Sequence, residues 1–390
     1  MKSIDLIGNG GIKMKFGTKL IHNGNGIDKQ TGALSIPIYQ TSTFHQWDID
    51  NLGEYDYSRS GNPTRKALED TIAKLEGGYK GFAFSSGMAA TSSVLSIFKS
   101  GDHIIICKDV YGGTHRITSK FFNQFGLETT FVDAVELEEI QSSIKKNTVA
   151  IFLETPSNPL LKITDLKGAI KIAKSHDILT IVDNTFMSPY LQQPIQLGAD
   201  IVIHSATKFI GGHSDVIGGL VVASNQSLAE RIYFVQNGFG AILGPQDCWL
   251  LLRGLKTLKV RMDFQQQNAL RLAQWLENQN EIIKVFYPGL ETHDGHHLHL
   301  SQANGGGAVL SFITDSVQIA KKFMNRITLA AVAVSLGGVE TIVSYPVKMS
   351  HVAIPEPERD RLGITEDLIR VSLGLEEIED IIEDFSKALK

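Results

Sequence analysis

The amino-acid sequence predicts an α/β protein built on a mostly parallel β-sheet and followed by a smaller domain. Short segments rich in valine and isoleucine show no alternation of apolar and polar residues, which is typical of strands buried on both faces. Helical stretches separate most of these segments between residue 62 and about residue 225, the order expected when helices cover both faces of a parallel sheet. In such sheets ligands bind beyond the carboxyl ends of the strands, so functional residues are sought there.

The elements follow from local signals along the chain. A helix is predicted over 63–76, since Pro63 lies in its first turn and Gly77 follows its end. A long helix is predicted over about 244–280, with Gly254 as a candidate break. The later elements indicate a smaller α/β or α+β domain with helices over 316–326 and 376–389. Strands are predicted at 81–85, 103–107, 149–154, 179–183, 200–205 and 219–223, and then at 284–288, 307–313, 329–334, 341–345 and 369–373.

Three regions are predicted along the chain. Residues 1–60 form an N-terminal extension and arm, because this segment is rich in threonine, serine, asparagine and glycine and has few periodic apolar stretches. Residues 61–255 form the domain of the large sheet, and residues 256–390 form the C-terminal domain. An extended arm of this length is best explained if it packs on a partner subunit.

Composition and charge exclude several classes of protein. The 390 residues include 37 basic and 42 acidic side chains, which disfavours a general nucleic-acid-binding protein. No apolar run approaches the roughly 18 residues that span a membrane, and the amino terminus lacks the apolar core of a secretion signal. Only Cys107 and Cys248 are present, which is typical of a reducing cytoplasm. The sequence therefore predicts a cytoplasmic enzyme that binds neither nucleic acid nor a membrane.

Asp183 and Lys208 are the strongest pair of candidate functional residues. Asp183 ends a buried apolar strand, where an unpaired carboxylate is costly, and Lys208 follows another strand. A pyridoxal phosphate enzyme needs a lysine that forms a Schiff base with the cofactor aldehyde and a carboxylate that keeps the pyridinium nitrogen protonated. The alternative, which is favoured for either residue taken alone, is that Asp183 caps a turn and Lys208 lies on the surface.

Other candidates also follow strands. Gly87 and Met88 lie at a strand-to-helix junction, where free backbone N–H groups can bind a phosphate, although Ser-Gly before a helix is often only a cap. Arg370 lies in an apolar strand, so its guanidinium needs an anion, either a substrate carboxylate or an internal salt bridge. Further candidates are Ser205 and Thr207 for the phosphate, Tyr111 for stacking on a flat ring (or as an ordinary loop residue), and Asn158 for a ring substituent or a substrate carboxylate.

Two other motifs are judged non-functional. The segment 293–299 (HDGHHLH) has several potential metal ligands at usable spacing, but it is interpreted as a polar surface segment, and no metal is expected. The glycines at 8–11 are no dinucleotide fingerprint, because no strand precedes them.

Nine further motifs occur in order along the chain: TSTF (41–44), YSRSGNPT (57–64), SSGMAA (85–90), DVYGGT (109–114), ETPSNP (154–159), VDNTF (182–186), HSATKFIGGHSD (204–215), SLGGVET (335–341) and RVSLGLE (370–376). Taken together, they resemble the motifs of the pyridoxal phosphate enzymes of cysteine and methionine metabolism, from residue 15 to the carboxyl terminus. Within that family the run AVSLGGVETIVSYPVKMSH is most similar to the cystathionine β-lyase branch of low-GC Gram-positive bacteria.

The resemblance implies a fold and an assembly. The expected fold is that of the type I pyridoxal phosphate-dependent transferases, with a seven-stranded sheet in the cofactor-binding domain 61–255. The expected assembly is a homotetramer of two catalytic dimers. By the same resemblance, Lys208 is the Schiff-base lysine and proton shuttle, Asp183 is the pyridinium partner, and Tyr111 stacks on the ring and assists proton transfer.

The resemblance also implies three groups of binding residues. The phosphate cradle consists of Gly87, Met88, Ser205 and Thr207. The phosphate of the neighbouring subunit is bound by Tyr57 and Arg59, with Tyr57 also beside the substrate. The substrate-carboxylate site consists of Asn158, Ser335 and Arg370, with Asn158 also beside the cofactor.

The resemblance also implies a carbon–sulfur lyase of transsulfuration. Residue 113 is glycine where methionine γ-lyases usually have cysteine, and residue 334 is valine where cystathionine γ-lyases and γ-synthases usually have glutamate. We therefore expect β-elimination of cystathionine to homocysteine, pyruvate and ammonia. The alternatives are γ-synthase or γ-lyase activity, with cysteine desulfhydration as a side activity. A non-catalytic regulator that binds the cofactor is disfavoured, because the lysine, the aspartate and the arginine are all present.

Overall fold

A computed structural model describes residues 14–23, 26–28, 30–352 and 356–390, without the side chain of residue 358. The expectations for residues 1–13 lie outside the described residues. Within the described ranges the chain forms two sheets with helices packed on them. The first sheet has seven strands, in agreement with the expected fold. Its strands are β1 (Lys80–Phe84), β2 (His103–Cys107), β3 (Glu128–Val132), β4 (Thr148–Glu154), β5 (Leu179–Asp183), β6 (Ile201–Ser205) and β7 (Gly219–Ala223).

The large sheet is mostly parallel, as predicted. Its strand order is β1-β7-β6-β5-β4-β2-β3, and β7 runs opposite to its two neighbours while the remaining pairs are parallel. The central strands β4, β5 and β6 end on polar residues, and their register places Glu154 opposite Asp183 and Asp183 opposite Ile203. Because parallel strands end at the same edge, these carboxyl ends form one polar crevice.

Helices cover the sheets. The helix predicted over 63–76 begins and ends at these residues in the structure. The Asn62 side chain caps its start, and Gly77 ends it with a φ of 76°. The helices are α1 (Phe16–His22), α2 (Pro63–Glu76), α3 (Gly87–Leu95), α4 (Gly112–Arg116), α5 (Leu137–Ser142), α6 (Leu166–Ser175), α7 (Ser188–Leu191), α8 (Pro194–Leu197), α9 (Gln226–Phe239), α10 (Pro245–Leu276), α11 (His296–Gln302), α12 (Val317–Arg326), α13 (Glu356–Leu362) and α14 (Ile378–Leu389).

The second sheet belongs to the C-terminal part of the chain. Its order is β10-β11-β12-β9-β8, and only β10 and β11 pair in parallel, so this part has the α+β arrangement, one of the two alternatives left open. All of its strands lie within a few residues of the predicted ones. They are β8 (Ile282–Phe286), β9 (Val309–Thr314), β10 (Ala331–Val332), β11 (Ile342–Ser344) and β12 (Leu368–Ser372).

Gly254, the candidate break in the long helix, does not interrupt it, because α10 is continuous through this residue. A Cβ atom at this position would lie 2.4 Å from the Gly211 carbonyl oxygen and 2.5 Å from that of Ile210. Glycine is therefore present because the helix packs directly on the backbone of another segment. The predicted boundary at residue 255 lies inside this helix, whose first half packs with Leu68 and Phe209 while its second half packs with the C-terminal sheet.

The N-terminal arm contains an element that the sequence did not indicate. Residues 16–22 form α1, whose Leu20 is buried in the core between α2 and α10. Residues 30–60 contain no helix and no fully buried residue, and an isolated bridge joins Thr43 and Tyr57. Trp47, Ile49 and Leu52 are all largely exposed.

Strand β3 was also missed. Its sequence is ETTFV, and it forms the edge of the large sheet with partly exposed side chains. Both cysteines are buried free thiols. In the described ranges, no helix has the length and apolar character required to cross a membrane.

Candidate active site

Lys208 lies beside Ser335 in the crevice. It follows β6, and its Nζ atom donates a hydrogen bond to the Ser335 hydroxyl at 2.6 Å. Burial, together with the positive charge of Arg370, lowers the pKa of Lys208 to about 8. About a tenth of this amine is therefore uncharged at pH 7, far more than for a solvated lysine, and the uncharged form is the one that a nucleophile or base requires.

Asp183 ends β5 at the floor of the same crevice. Its Oδ1 atom accepts hydrogen bonds from the Thr185 backbone N–H at 3.0 Å and from the Thr185 hydroxyl at 2.5 Å. Burial nevertheless raises the pKa of Asp183, because the two Thr185 hydrogen bonds, and then the charge of His204, only partly oppose it. The ionised form of Asp183 therefore needs a further positive charge, such as the protonated nitrogen of a bound ring.

Glu154 is a second carboxylate at this edge, and it was not among the predicted site residues. It ends β4 opposite Asp183, and its Oε2 atom accepts a hydrogen bond from the Tyr111 backbone N–H at 2.8 Å. Burial, and then the neighbouring charge of Asp183, raise the pKa of Glu154 well above its ordinary value. The signal that identified Asp183, an acidic residue at the end of an apolar strand, is also present at Glu154.

Tyr111 is 43% exposed, and its backbone N–H donates to Glu154 at the edge of the crevice. A Cβ atom at residue 113 would lie 2.5 Å from the ring atom Cε1 of Tyr111 and 2.7 Å from the sulfur of Met88. In this chain Gly113 therefore leaves room for the ring, and any larger residue would displace it.

The junction of β1 and α3 has the geometry of an anion cradle. The Ser86 side chain accepts a hydrogen bond from the Ala89 backbone N–H, while within the described residues nothing accepts from the N–H groups of Gly87 and Met88. A Cβ atom on Gly87 would lie 2.9 Å from Cβ of Ser205, so only glycine allows this close approach. The Thr207 hydroxyl, in contrast, accepts from the Gly218 backbone N–H at 3.1 Å.

Arg370 is 3% exposed and is held by polar groups, not by a carboxylate. Its Nη1 atom donates to the Asn158 side-chain oxygen at 2.9 Å, and its Nη2 atom donates to the Ser335 carbonyl at 2.7 Å and to the Ser344 hydroxyl at 3.1 Å. The described residues supply no salt bridge to it, which excludes the internal salt bridge as its explanation. Burial lowers the pKa of Arg370 to about 10. The charge of Glu154 partly opposes this effect, but among the described residues no carboxylate forms an ion pair with Arg370. A buried cation without such an ion pair is suited to an anionic ligand.

Tyr57 and Arg59 lie apart from this cluster within one chain. Both are exposed on the arm, and the Arg59 guanidinium stacks over the Tyr57 ring at 5.6 Å. Together with Thr41 and Ile242 they line a pocket of about 330 Å³. In the described ranges no hydrogen bond connects either side chain to the residues around Lys208.

The interpretation of segment 293–299 as a surface segment is wrong for His293 and His299, which are buried. Three of its histidines make structural hydrogen bonds. His293, His296 and His299 each bond a backbone carbonyl oxygen, those of Leu161, Pro288 and Gly305. The described residues contain no group of three or more potential ligands arranged to hold a metal ion.

The crevice is suited to pyridoxal phosphate. It combines a lysine of lowered pKa, a carboxylate that needs a cation, open backbone N–H groups on a glycine and a buried arginine. The fold and these side chains define a pyridoxal phosphate-dependent enzyme.

The particular family follows from comparison with known proteins. The family model described as Cys/Met metabolism PLP-dependent enzyme matches residues 17–390, so the chain belongs to that family. It is 52% identical to the cystathionine beta-lyase MetC of Bacillus subtilis (strain 168) over 96% of each protein. It is 51% identical to the cystathionine gamma-lyase of the same organism over 97% of this chain and all of that one. A solved structure of cystathionine gamma-lyase from Lactobacillus plantarum, complexed with L-serine, superposes with a TM-score of 0.93 at 46% identity, covering 96% of this chain and 98% of that one. The fold is therefore fold type I.

Proposed function

We propose that this enzyme is a carbon–sulfur lyase that converts cystathionine and water to homocysteine, pyruvate and ammonia. The observation that carries the proposal is the hydrogen bond of Lys208 to Ser335, whose own carbonyl oxygen accepts from Arg370. This chain of contacts supports the proposal of a base beside a site for a substrate carboxylate. Relatives named cystathionine lyases, more than half identical to this chain, support the same reaction class.

In this proposal each residue has a defined task. Pyridoxal phosphate, when bound, supplies a conjugated ring that accepts the electron pair left at the substrate Cα atom. Arg370 and Asn158 bind the substrate carboxylate and so orient the Cα–H bond toward Lys208. Lys208 takes the Cα proton, and the thiolate leaves from Cβ. With the cofactor bound, Asp183 would pair with the ring nitrogen, and Tyr111 would stack on the ring and assist proton transfer. The phosphate would be held by Gly87, Met88, Ser205 and Thr207.

Elimination at Cβ is favoured over reaction at Cγ by residue 334. Val334 directly precedes Ser335 and is 63% exposed. Because valine has an apolar side chain, this position offers no carboxylate to a γ-reaction. Cystathionine γ-lyase activity is the second candidate, because a relative of that name is 51% identical. A single proton removal at Cα is enough for loss of a β-thiolate, whereas γ-elimination needs a second removal at Cβ.

The keto acid formed from cystathionine distinguishes the two reactions. We expect pyruvate and homocysteine in equal amounts, measured by chromatography after incubation of the purified enzyme with cystathionine. Formation of 2-oxobutyrate and cysteine would contradict β-elimination. Lys208→Ala, which removes the base, is the control for non-enzymatic breakdown, and Val334→Glu tests whether the missing carboxylate directs the choice.

We further propose that the active enzyme is a homotetramer of two catalytic dimers, in which Tyr57 and Arg59 reach the phosphate of the neighbouring subunit. The exposed position of both side chains in one chain supports this. If each site combines Lys208 of one subunit with Arg59 of the other, mixing inactive Lys208→Ala with weakly active Arg59→Ala subunits restores activity. Mixing Lys208→Ala with Asp183→Ala must not, because both residues come from the same subunit. Absence of recovery in the first mixture would place Arg59 elsewhere.

A cytoplasmic location is also proposed. Cys107 and Cys248 are both buried free thiols, which is typical of proteins that work under reducing conditions.

A further inference from the structure

The loop 155–163, which follows β4, receives hydrogen bonds from three side chains of the C-terminal part of the chain. The ring nitrogen Nε2 of His351 lies 3.2 Å from the Asn158 carbonyl oxygen, and Nε2 of His293 lies 3.0 Å from that of Leu161. Between them, the Ser311 hydroxyl donates to the Pro159 carbonyl at 2.7 Å. Three carbonyl groups of one loop are thus held by side chains far away in sequence.

His351 has a defined hydrogen-bonding state. It is 1% exposed, and since a carbonyl oxygen can only accept, Nε2 must carry the proton. Burial and the charge of Arg370 lower the pKa of His351 to about 4, so the ring is neutral at physiological pH. Its Nδ1 atom, 2.8 Å from the Ser350 hydroxyl, therefore accepts from that group.

Asn158 is consequently held from two sides. His351 binds its main-chain carbonyl, and Arg370 donates to its side-chain oxygen at 2.9 Å. The same guanidinium donates to the Ser335 carbonyl, and the Ser335 hydroxyl binds Lys208. A shift of the Asn158 backbone would therefore move the acceptor that sets the orientation of the Arg370 fork.

We propose that His351 is a positioning residue of the substrate-carboxylate site, which acts by fixing Asn158 and, through it, Arg370. This inference rests on the proposed function, because it assumes that Arg370 binds the substrate carboxylate. His293 provides a matched comparison: it is also a buried histidine with the same type of bond to the same loop, but its acceptor is three residues further along and makes no contact with Arg370.

The test compares four variants of the cofactor-loaded enzyme. His351→Leu fills the space but removes the donor, whereas His351→Gln keeps an amide N–H at about the position of Nε2. We expect His351→Leu to raise KM for cystathionine, and Kd for glycine, about tenfold with kcat changed less than about twofold, as for the loss of one buried hydrogen bond. His351→Gln should restore both constants to within about threefold of the wild type. Glycine binding is followed by the visible absorbance of the cofactor, so this readout is independent of turnover.

His293→Leu and Arg370→Ala separate the outcomes. His293→Leu should lower thermal stability about as much as His351→Leu while leaving KM and the glycine Kd unchanged. Equal effects of the two leucine variants on KM, an unchanged KM in His351→Leu, or failure of His351→Gln to restore binding would each overturn the role of His351. Arg370→Ala tests the assumption that Arg370 binds the substrate carboxylate, on which the role of His351 depends. If this variant binds glycine normally, the carboxylate site itself is wrong, whereas loss of binding here with normal binding in His351→Leu refutes the inference about His351 alone.

Discussion

The pKa values of ionisable groups shift in opposite directions in the crevice and in helix α14. In the crevice, burial raises the pKa values of Asp183 and Glu154 and lowers that of Lys208, so the neutral form of each group is favoured. In α14, hydrogen bonds from Thr328 lower the pKa of Asp384 against the opposing effect of burial, and Glu383 raises the pKa of Lys387. There the charged form is favoured.

The difference shows what each region is built to do. Asp384 is stabilised entirely by its own chain: its carboxylate accepts from the backbone N–H groups of Thr328, Leu329 and Ala330 and from the Thr328 hydroxyl. Among the described residues, Asp183 accepts hydrogen bonds from Thr185 alone, and Arg370 has no carboxylate within reach of a salt bridge. Charges that the chain leaves uncompensated mark the place where ligands supply the complementary charge.

The largest expected effect that tests this comparison comes from changing each aspartate to asparagine. Asp183→Asn keeps an oxygen for the two Thr185 bonds but cannot hold a ring nitrogen in its protonated form. We expect kcat for cystathionine cleavage to fall about 10²- to 10³-fold, as when one preorganised electrostatic group is lost, with little change in thermal unfolding of the cofactor-free protein.

Asp384→Asn should show the reverse pattern. An amide N–H₂ would face backbone N–H groups that now bind a carboxylate oxygen, which costs about 1–3 kcal/mol of folding free energy, while kcat stays within about twofold of the wild type. Stability is measured by denaturant unfolding and turnover by release of pyruvate. Equal loss of turnover in both variants would show that Asp183 acts only through the fold.

Much of the fold follows from local sequence, and the exceptions have physical reasons. The buried strands β2, β5 and β7 have their predicted bounds, because a continuous apolar run with polar ends specifies a strand covered on both faces. Strand β3 is at the edge of the sheet and is half solvated, so its pattern is too polar to detect. Gly254 was interpreted as a break because the contact that requires glycine comes from Gly211, more than forty residues earlier in the chain.

Prediction of the site from local sequence is limited in the same way as prediction of the fold. Lys208, Asp183 and Arg370 could be selected because an ionisable residue in an apolar strand or at its end is unusual. No local pattern connects Asn158 with His351, which are 193 residues apart, or Lys208 with Ser335, which are 127 apart. Such contacts depend on how the C-terminal sheet packs against the loops of the large one. A sequence can therefore indicate which side chains need partners but not which side chains orient them.

A smaller effect sharpens the comparison at Lys208. Only the neutral amine attacks an aldehyde, so a pKa near 8 predicts that capture of pyridoxal phosphate by the cofactor-stripped enzyme becomes faster as pH rises, with a midpoint near 8. A solvated lysine would have its midpoint near 10.4. Arg370→Met removes a repelling charge, so the pKa of Lys208 should rise and the midpoint should move to higher pH. Stopped-flow absorbance measures the rate, and equilibrium binding to Lys208→Ala corrects for titration of the cofactor itself. A midpoint near 10 in the wild type would mean that water enters the crevice and that the contrast with α14 does not hold at this residue.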